Sequence, residues 1–336
     1  MSGKGQVEKR QEKIKELEKL RESKVIVYMM GDRAPTNLFH TRIALDVTPK
    51  FFKQFQLIGK TKKLSLFLYS TGGVIDAPWP LVNLIREYCD EFEVLIPYKC
   101  LSAATMVALG ADKIVMTPIG QLSPVNPTGT FPGEAGKPVQ FSIEDVLGFV
   151  DFVKDKIGIK EQEPLKESLH ALVSEIKPSI LGSINRTHSL IRRLSENLLK
   201  LHIKTIDKEK QIKGIVDNLT HLLFSHLHFV NRREARDVVG FGDFVEYPPE
   251  NHEQAMMACY YAYAEDLELD KPFVPEQLLS EGQTSVNYNT MRAFIESTLL
   301  THIFESDMII SKRDQQVNVN VTFQGWREYE VTKKRE

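Results

Sequence analysis

Short apolar runs alternate with amphipathic stretches over the first third of the chain. Four of these runs are typical of strands that are covered on both faces, namely residues 25–30, 64–69, 92–97 and 113–116. Between them, the apolar spacing predicts short helices, as over 51–58 and 80–88. Strands that alternate with helices at this pace predict βαβ units, and hence a parallel sheet with right-handed crossovers.

The rest of the chain has mainly helical periodicity, interrupted by a stretch rich in proline, glycine and threonine at 124–138 that predicts a long loop. Helices are predicted at 143–156, 165–228, 233–239, 253–267 and 291–304. The alternating C-terminal pattern predicts a β-hairpin of residues 317–323 and 326–331 around Gln324-Gly325. The expected fold class is therefore α/β, with a helical insert and a small C-terminal extension.

The first 24 residues are highly charged, with eight Lys/Arg and five Asp/Glu. Because Ile14, Leu17 and Leu20 form one narrow apolar stripe, we expect an exposed amphipathic helix. It is either a solvated arm or a helix that packs on a partner subunit. The predicted division is this arm at 1–24, a main domain at 25–249 that includes the helical insert 165–228, and an extension at 250–336.

Composition excludes several classes of protein. The 336 residues include 43 Lys/Arg and 45 Asp/Glu, and the net charge of −2 excludes a strongly basic nucleic-acid module. Three scattered cysteines provide neither a disulfide scaffold nor a CxxC zinc pair, so we expect a reducing compartment. There is no signal-peptide pattern and no apolar run of the ~18–20 residues that a membrane span needs, so we expect a cytoplasmic protein.

Two sharp turns follow neighbouring strands of the predicted sheet. The first contains Gly72-Gly73, and the second places Ser102 at the start of a helix. Both turns should lie at the carboxyl edge of the sheet, within about 10 Å of each other. There, Ser102 could attack a carbonyl group while the amides of Ala103 and of Gly72-Gly73 stabilise the oxyanion. A serine in this position more often only caps its helix.

These residues resemble a known family. The turn Ser70-Thr71-Gly72-Gly73 resembles the Ser/Thr-Pro-Gly-Gly turn of the Clp protease and crotonase superfamily. Residues 96–127 resemble the serine dehydrogenase proteinase family, allied to signal peptide peptidase A, and 231–240 loosely resembles the segment that closes this fold. The resemblance implies a Clp protease/crotonase-like fold and a serine peptidase in which Ser102 is the nucleophile. Ala103-Ala104 replaces the family's usual glycine, but no amide donor is lost.

A nucleophilic serine also needs a general base. In single-domain relatives of the signal peptide peptidase type, the base is a lysine on a helix after the loop, and the helix at 149–154 resembles it, which puts Lys154 in that place. A lysine acts as a base only if burial lowers its pKa, and the neighbouring Val153 allows burial. Lys156 and Lys137 remain alternatives.

Histidines offer a weaker alternative. None lies between His40 and His170, so a triad in the Clp order is not expected. Two histidines of the Ser225-His226-Leu227-His228 stretch, His226 and His228, are weak candidates that line the site, because the family has a similar element there. No Cys or carboxylate accompanies them at ligand spacing, so no metal is expected.

The leading hypothesis is a serine peptidase that binds an extended peptide or protein substrate as an added strand. The alternatives are an inactive oligomeric scaffold of the same fold or a crotonase-like acyl-CoA enzyme, which would need a glutamate that these turns lack. We expect a homo-oligomer in which the N-terminal helix and the apolar helices of 165–228 bury surface between subunits. No cofactor, nucleic acid or membrane span is expected, and the chain has no ATPase motif of its own.

Overall fold

The computed structural model describes residues 4–125, 128–132, 138–159, 161–204, 207–222, 228–313 and 316–330. The helices are α1 (Lys4–Arg21), α2 (Thr36–Phe39), α3 (Thr48–Ile58), α4 (Pro78–Tyr88), α5 (Ala103–Leu109), α6 (Ile143–Asp151), α7 (Gln162–Glu175), α8 (Pro178–Lys200), α9 (Lys208–Asp217), α10 (Arg232–Asp237) and α11 (Glu250–Asp266). π-Helical turns follow α6 and α9, at Phe152–Lys156 and Asn218–Leu222. Short 3-10 turns lie at Leu45–Val47, Gly242–Phe244 and Pro275–Leu278.

In the described part of the chain, the strands form one large sheet and two small ones. They are β1 (Lys24–Met30), β2 (Thr61–Tyr69), β3 (Cys89–Ile96), β4 (Lys99–Cys100), β5 (Lys113–Met116), β6 (Gln121–Leu122), β7 (Thr128–Pro132), β8 (Pro138–Ser142), β9 (Val230–Asn231), β10 (Val245–Glu246), β11 (Ser285–Glu296), β12 (Leu300–Arg313) and β13 (Gln316–Glu330). The large sheet has eight strands in the order β10-β5-β3-β2-β1-β11-β12-β13, and β4-β6-β9 and β7-β8 form the small sheets.

The large sheet has two halves. Strands β10, β5, β3, β2 and β1 run parallel to one another, which confirms the predicted βαβ series. Strands β11, β12 and β13 continue the sheet with antiparallel pairing. We call these sets the parallel half and the antiparallel half.

Helices cover both faces of the parallel half, and the residues of β1 show why its sequence is apolar throughout. Ile26 and Tyr28 pack into a cluster with α3, α4, α5 and α8, whereas Val25 and Val27 pack into another with α1 and α11. Because both faces are buried, no position in the strand has to be polar. The result is a three-layer α/β fold.

The N-terminal helix α1 is not the exposed arm that its charge predicts. Ile14 and Leu17 are fully buried against α11 of the same chain. Arg10 is also fully buried, and its guanidinium donates to Glu296 of β11 (2.8 Å) and to Asp266 of α11. The apolar stripe of α1 is therefore covered within the chain and not by a partner subunit, because α11, distant in sequence, returns to pack on it.

The C-terminal elements also differ from the sequence prediction. The helix expected at 291–304 is wrong, because these residues belong to β11, β12 and the turn between them. The expected hairpin is wrong as well, since Gln324-Gly325 lies inside the single strand β13, with Gly325 opposite Glu305. Pairing with neighbouring strands stabilises an extended backbone where the apolar spacing alone allows either structure.

The middle of the chain follows the prediction more closely. Helices α7, α8 and α9 form most of the expected insert, and Ile191, Leu198 and Leu199 of α8 pack into the core of this same chain. Part of the stretch expected as a loop forms the hairpin of β7 and β8 instead. The other residues of that stretch, 126–127 and 133–137, lie outside the described residues.

Candidate active site

The two predicted turns meet at the carboxyl edge of the parallel half. Ser70, directly after β2, donates its N–H to the carbonyl of Lys99 (2.9 Å) and accepts from the N–H of Leu101 (2.9 Å). These two backbone hydrogen bonds join the first turn to the second. The prediction that the glycine pair and Ser102 lie close together is therefore confirmed.

Gly72 lies directly against Ser102. Its φ is +112°, and a Cβ at this position would lie 2.8 Å from Cβ and 3.3 Å from Oγ of Ser102. Both the backbone angle and the close contact require glycine. The N–H of Gly72 donates to Oγ of Ser70 (3.0 Å), so this amide already has an acceptor.

Gly73 has an amide that finds no acceptor among the described residues. On either side of it, Gly72 accepts from the N–H of Ile43 (2.9 Å) and Val74 donates to the carbonyl of Ile43 (2.8 Å). In such a bridge the N–H of the central residue points away from the paired segment. Within the described ranges, the N–H of Gly73 makes no hydrogen bond. A side chain is excluded here, because a Cβ would lie 2.1 Å from the carbonyl oxygen of Ile43.

Ser102 occupies the N-cap position of α5, but its side chain does not cap the helix. Among the residues that the structure describes, its hydroxyl makes no hydrogen bond, and neither does the N–H of Ala103 in the first turn of α5. Ser102 has φ 53° and ψ −117°, a conformation that costs a non-glycine residue of the order of 1–3 kcal/mol. Among the described residues, the hydroxyl of Ser102 and the amides of Gly73 and Ala103 thus have no hydrogen-bond partner, and acyl transfer needs both a free nucleophile and free amide donors.

Two further hydroxyl groups hold the strained turn in place. The N–H of Ser102 donates to Oγ of the buried Ser123 (2.7 Å). The N–H of Ser123 donates to Oγ1 of Thr105 (3.1 Å), which donates in turn to the carbonyl of Cys100 (2.8 Å). This series of hydrogen bonds ties both ends of the second turn to the loop after β6. In the sequence, Ser123 is one residue of the stretch 96–127 that resembles the family, and nothing else distinguishes it.

A histidine that sequence reasoning set aside reaches the first turn. Nε2 of His40 is hydrogen-bonded to Oγ1 of Thr71, next to the glycine pair. Burial, and then the charge of Arg42, lower the pKa of His40 below its usual value. His40 precedes the serine in sequence and follows β1, so chain order alone gave no reason to connect it with this turn. The carboxyl-edge position of residues after β1 was the available signal.

A charged and aromatic group lies at the same edge of the sheet. Asp32, which follows β1, accepts from the hydroxyl of Tyr69 (2.8 Å) and from Nζ of Lys99 (2.7 Å). The rings of Tyr98 and Tyr260 pack near Tyr69. Lys99 is therefore paired, and its amine is held by a carboxylate.

The two candidate lysines in the described residues, Lys154 and Lys156, are not buried beside Ser102. Lys154 and Lys156 lie in the π-helical turn after α6, and both side chains are exposed, whereas Val153 is buried. Neighbouring helical residues point in different directions, so the burial of Val153 turns Lys154 towards solvent. The expectation that Lys154 shares the buried side of its helix is therefore wrong in the single chain. Lys137 lies outside the described residues.

Of the two candidate histidines, His228 contacts α10. Nε2 of His228 is hydrogen-bonded to Oε1 of Glu234 (2.6 Å), on α10, and the side chain is half-exposed. His226 lies outside the described residues. Within the described ranges, no group of three His, Cys, Asp or Glu side chains is arranged to hold a metal ion.

Comparison with known proteins places the N-terminal part of the chain in a family context. Residues 1–136 match the family described as ClpP-like SDH-type serine proteinase. The resemblance seen in the sequence is thus confirmed for this part, and with it the Clp protease/crotonase-like α/β fold.

None of the helices in the described part of the chain is both long and apolar enough to cross a bilayer.

Individual proteins that are similar to this chain match only part of it, at low sequence identity. Two uncharacterized proteins of Methanocaldococcus jannaschii are 27% identical over 124 residues (35% of this chain and 43% of the relative) and 25% identical over 123 residues (35% and 42%). Each match thus spans less than half the length of the relative. A solved structure, a mutant of the 1510-N membrane-bound stomatin-specific protease, is similar over 34% of this chain and 56% of that chain, at 18% identity and a TM-score of 0.25. That similarity is too low to carry an argument.

Proposed function

We propose that this chain is a serine peptidase, in which Ser102 is the nucleophile and the amides of Gly73 and Ala103 form the oxyanion hole. The observation that carries the proposal is that, among the described residues, the hydroxyl of Ser102 and the amides of Gly73 and Ala103 all lack hydrogen-bond partners, at a serine that does not cap its helix. A serine that only capped its helix would accept from the N–H of the second or third helical residue, whereas the hydroxyl of Ser102 makes no such hydrogen bond. The strained backbone at Ser102 has a parallel in the sharp strand-to-helix turns that expose nucleophiles in other folds.

The reaction divides into two acyl transfers. Oγ of Ser102 attacks the peptide carbonyl carbon while its proton passes to a general base, and the carbonyl oxygen becomes an oxyanion that accepts from both amides. The base then protonates the leaving amine, which leaves an acyl ester on Ser102. Water attacks the ester in the same way, releases the carboxylic acid and restores the serine hydroxyl.

The general base in this proposal is Lys154, and it acts in the assembled protein. A base that takes the proton of Ser102 has to come within hydrogen-bond reach of its Oγ, and Lys154 is exposed in the single chain. Contact with another subunit, or closure of the segment after α6, has to bury it before it can accept the proton of Ser102.

The structure restricts how an extended substrate can bind. The carbonyl of Gly72 and the N–H of Val74 are already bonded to Ile43, whose side chain is fully buried. A substrate strand therefore pairs with other backbone groups of the cleft, while the half-exposed Val74 side chain offers it an apolar contact. We propose a peptide or protein segment as the substrate, cleaved by a homo-oligomer.

Labelling with a fluorophosphonate tests the nucleophile. We expect labelling of the wild-type protein at Ser102 alone, and none in Ser102→Ala. The matched control is Ser179→Ala, which removes an exposed hydroxyl in the first turn of α8 and should label normally. If assembled wild-type protein is not labelled and cleaves no peptide, the peptidase proposal fails in favour of an inactive scaffold.

A second set of variants tests the base. Lys154→Ala should slow labelling at least ~100-fold, and Lys154→Arg should not restore it because arginine keeps its proton. Lys156→Ala, two residues away and also exposed, is the matched control and should label at the normal rate. Full labelling in Lys154→Ala would move the base elsewhere, and His40→Gln would then be compared because His40 contacts the glycine turn.

A further inference from the structure

We propose that two copies of this chain pair edge to edge through the first half of β13, in a two-fold symmetric antiparallel register centred on Val319. The pairing joins two eight-stranded sheets into one and is independent of the proposed peptidase activity. It rests on the contrast between the two edges of the sheet and on the sequence of β13.

The two edges of the large sheet are unequal. Within the described part of the chain, one edge is β10, a strand of only two residues, Val245–Glu246. The other edge is β13, a strand of 15 residues that pairs with β12 alone among the strands that the structure describes. Edges of natural sheets are usually short, charged or interrupted by proline, because unpaired N–H and C=O groups attract another strand. Residues 316–326 of β13 have none of these protections, since they include no charged residue and no proline.

The exposed segment Gln316–Thr322 is a chemical palindrome. Its sequence is QVNVNVT, and an antiparallel pair centred on Val319 places Val317 opposite Val321 and Asn318 opposite Asn320. Gln316 faces Thr322, and Val319 faces its own copy. In a two-fold interface the same surface of both copies has to fit against itself. In this register each residue lies opposite a residue of the same chemical type. Cross-strand valine pairs and asparagine pairs both stabilise antiparallel strands.

The contacts of β13 with the rest of the chain hold the segment Gln316–Thr322 in a form ready to pair. Val317 and Val319 pack on a cluster that contains Ile310 and Phe273, which fixes one face of the strand. Asn318 and Asn320 are exposed on the other face. The palindrome ends where the register of β12 with β13 shifts, between Asp307 and Met308 and therefore at Thr322. The regular, uncharged part of the edge thus coincides with the self-complementary part.

Such a contact should be weak and concentration-dependent. A seven-residue strand pair is small beside the roughly 1,000 Å² of buried surface expected of a stable interface. We therefore expect the mass by light scattering or sedimentation to rise with concentration, up to about 100 μM. Pairing through this edge should double the mass of the species present at low concentration. This doubling should be measurable whether or not other surfaces also associate.

Three variants test the edge and its register. Asn318→Lys with Asn320→Lys sets like charges opposite each other across the axis, and should halve the high-concentration mass. Asn318→Lys with Asn320→Glu sets opposite charges face to face in this register, and should restore the mass. The matched control is Asn287→Lys with Asn289→Lys, two exposed positions in the interior strand β11 of the same sheet, which should associate like the wild type.

Several outcomes would overturn the proposal. Wild-type protein with a mass of 38.4 kDa at about 100 μM has no such contact. An unchanged mass in the double-lysine variant, or failure of the lysine–glutamate variant to restore it, rejects the edge or the register. Growth into fibres would show open-ended pairing, and capture of a peptide substrate along β13 instead of a second copy would assign the edge to another occupant.

Hydrogen exchange provides a second measurement that needs no substitution. The backbone amides of 317–321 that point away from β12 should exchange slowly at high protein concentration and at least ~10-fold faster on dilution. Exchange rates that do not depend on concentration would reject the pairing, even if a charged variant failed to fold.

Discussion

The parallel and antiparallel halves of the large sheet differ in how their strands are covered. In β1 and β2 the last six residues are all buried, because helices lie on both faces. In β13, by contrast, no residue is fully buried, and exposed positions alternate with partly covered ones only in its first residues. The buried half can hold strained turns rigidly at its carboxyl edge, whereas the open half presents backbone groups to a partner. The candidate chemistry and the candidate interface therefore lie in different halves.

Arg10 ties α1, which covers the parallel half, to β11 of the antiparallel half, and its replacement should have the largest effect. It is fully buried in α1 and pairs with Glu296 on β11 and Asp266 on α11. We expect Arg10→Ala to lower the free energy of unfolding by about 3–5 kcal/mol, because Glu296 is left as an uncompensated buried charge. Urea denaturation near neutral pH measures this effect.

The adjacent residue supplies the control for this prediction. Lys9, on the exposed side of the same helix, pairs with the exposed Glu265. Lys9→Ala should leave the urea midpoint nearly unchanged because water screens this pair. Equal effects of the two substitutions would show that α1 does not link the halves through its buried charge.

Strain at Ser102 predicts a smaller effect of opposite sign. Ser102→Gly should raise the free energy of unfolding by about 1–2 kcal/mol, because glycine adopts the observed backbone angles without cost, and it should abolish labelling. Glu22, exposed and with φ 49°, is the control outside the site. Glu22→Gly should stabilise slightly and label normally. A destabilised Ser102→Gly protein would contradict stored strain at the nucleophile.

The smallest effect is on the pH dependence of stability. Burial lowers the pKa of His40 in the parallel half and of His302 in the antiparallel half, with Arg42 adding to the first and Glu328 opposing the second. Both histidines take up a proton on unfolding below about pH 6.5, so the free energy of unfolding should fall as the pH is lowered through this range. His40→Gln and His302→Gln should each flatten the slope, and an unchanged slope in both would contradict the assignment.

Local patterns were sufficient for most of the parallel half. The apolar runs at 25–30 and 64–69 became central strands, and Gly72-Gly73 and Ser102 met at their carboxyl ends as predicted. Sequence reasoning failed where a distant segment decides the outcome. The spacing in 291–304 fits a helix until pairing with β1 and β13 imposes strands, and the placement of His40 beside Thr71 depends on two loops meeting.

The sequence by itself determined the βαβ order and the two turns, because burial on both faces and the conformational freedom of glycine act over a few residues. Only the tertiary structure decided that α1 is covered by α11, that Lys154 faces solvent and that the C-terminal strands extend the sheet to an open edge. Each of these outcomes depends on which distant surface competes for an apolar stripe or an unpaired backbone. The free energy of the whole fold decides between these surfaces, and a short stretch of sequence does not determine that free energy.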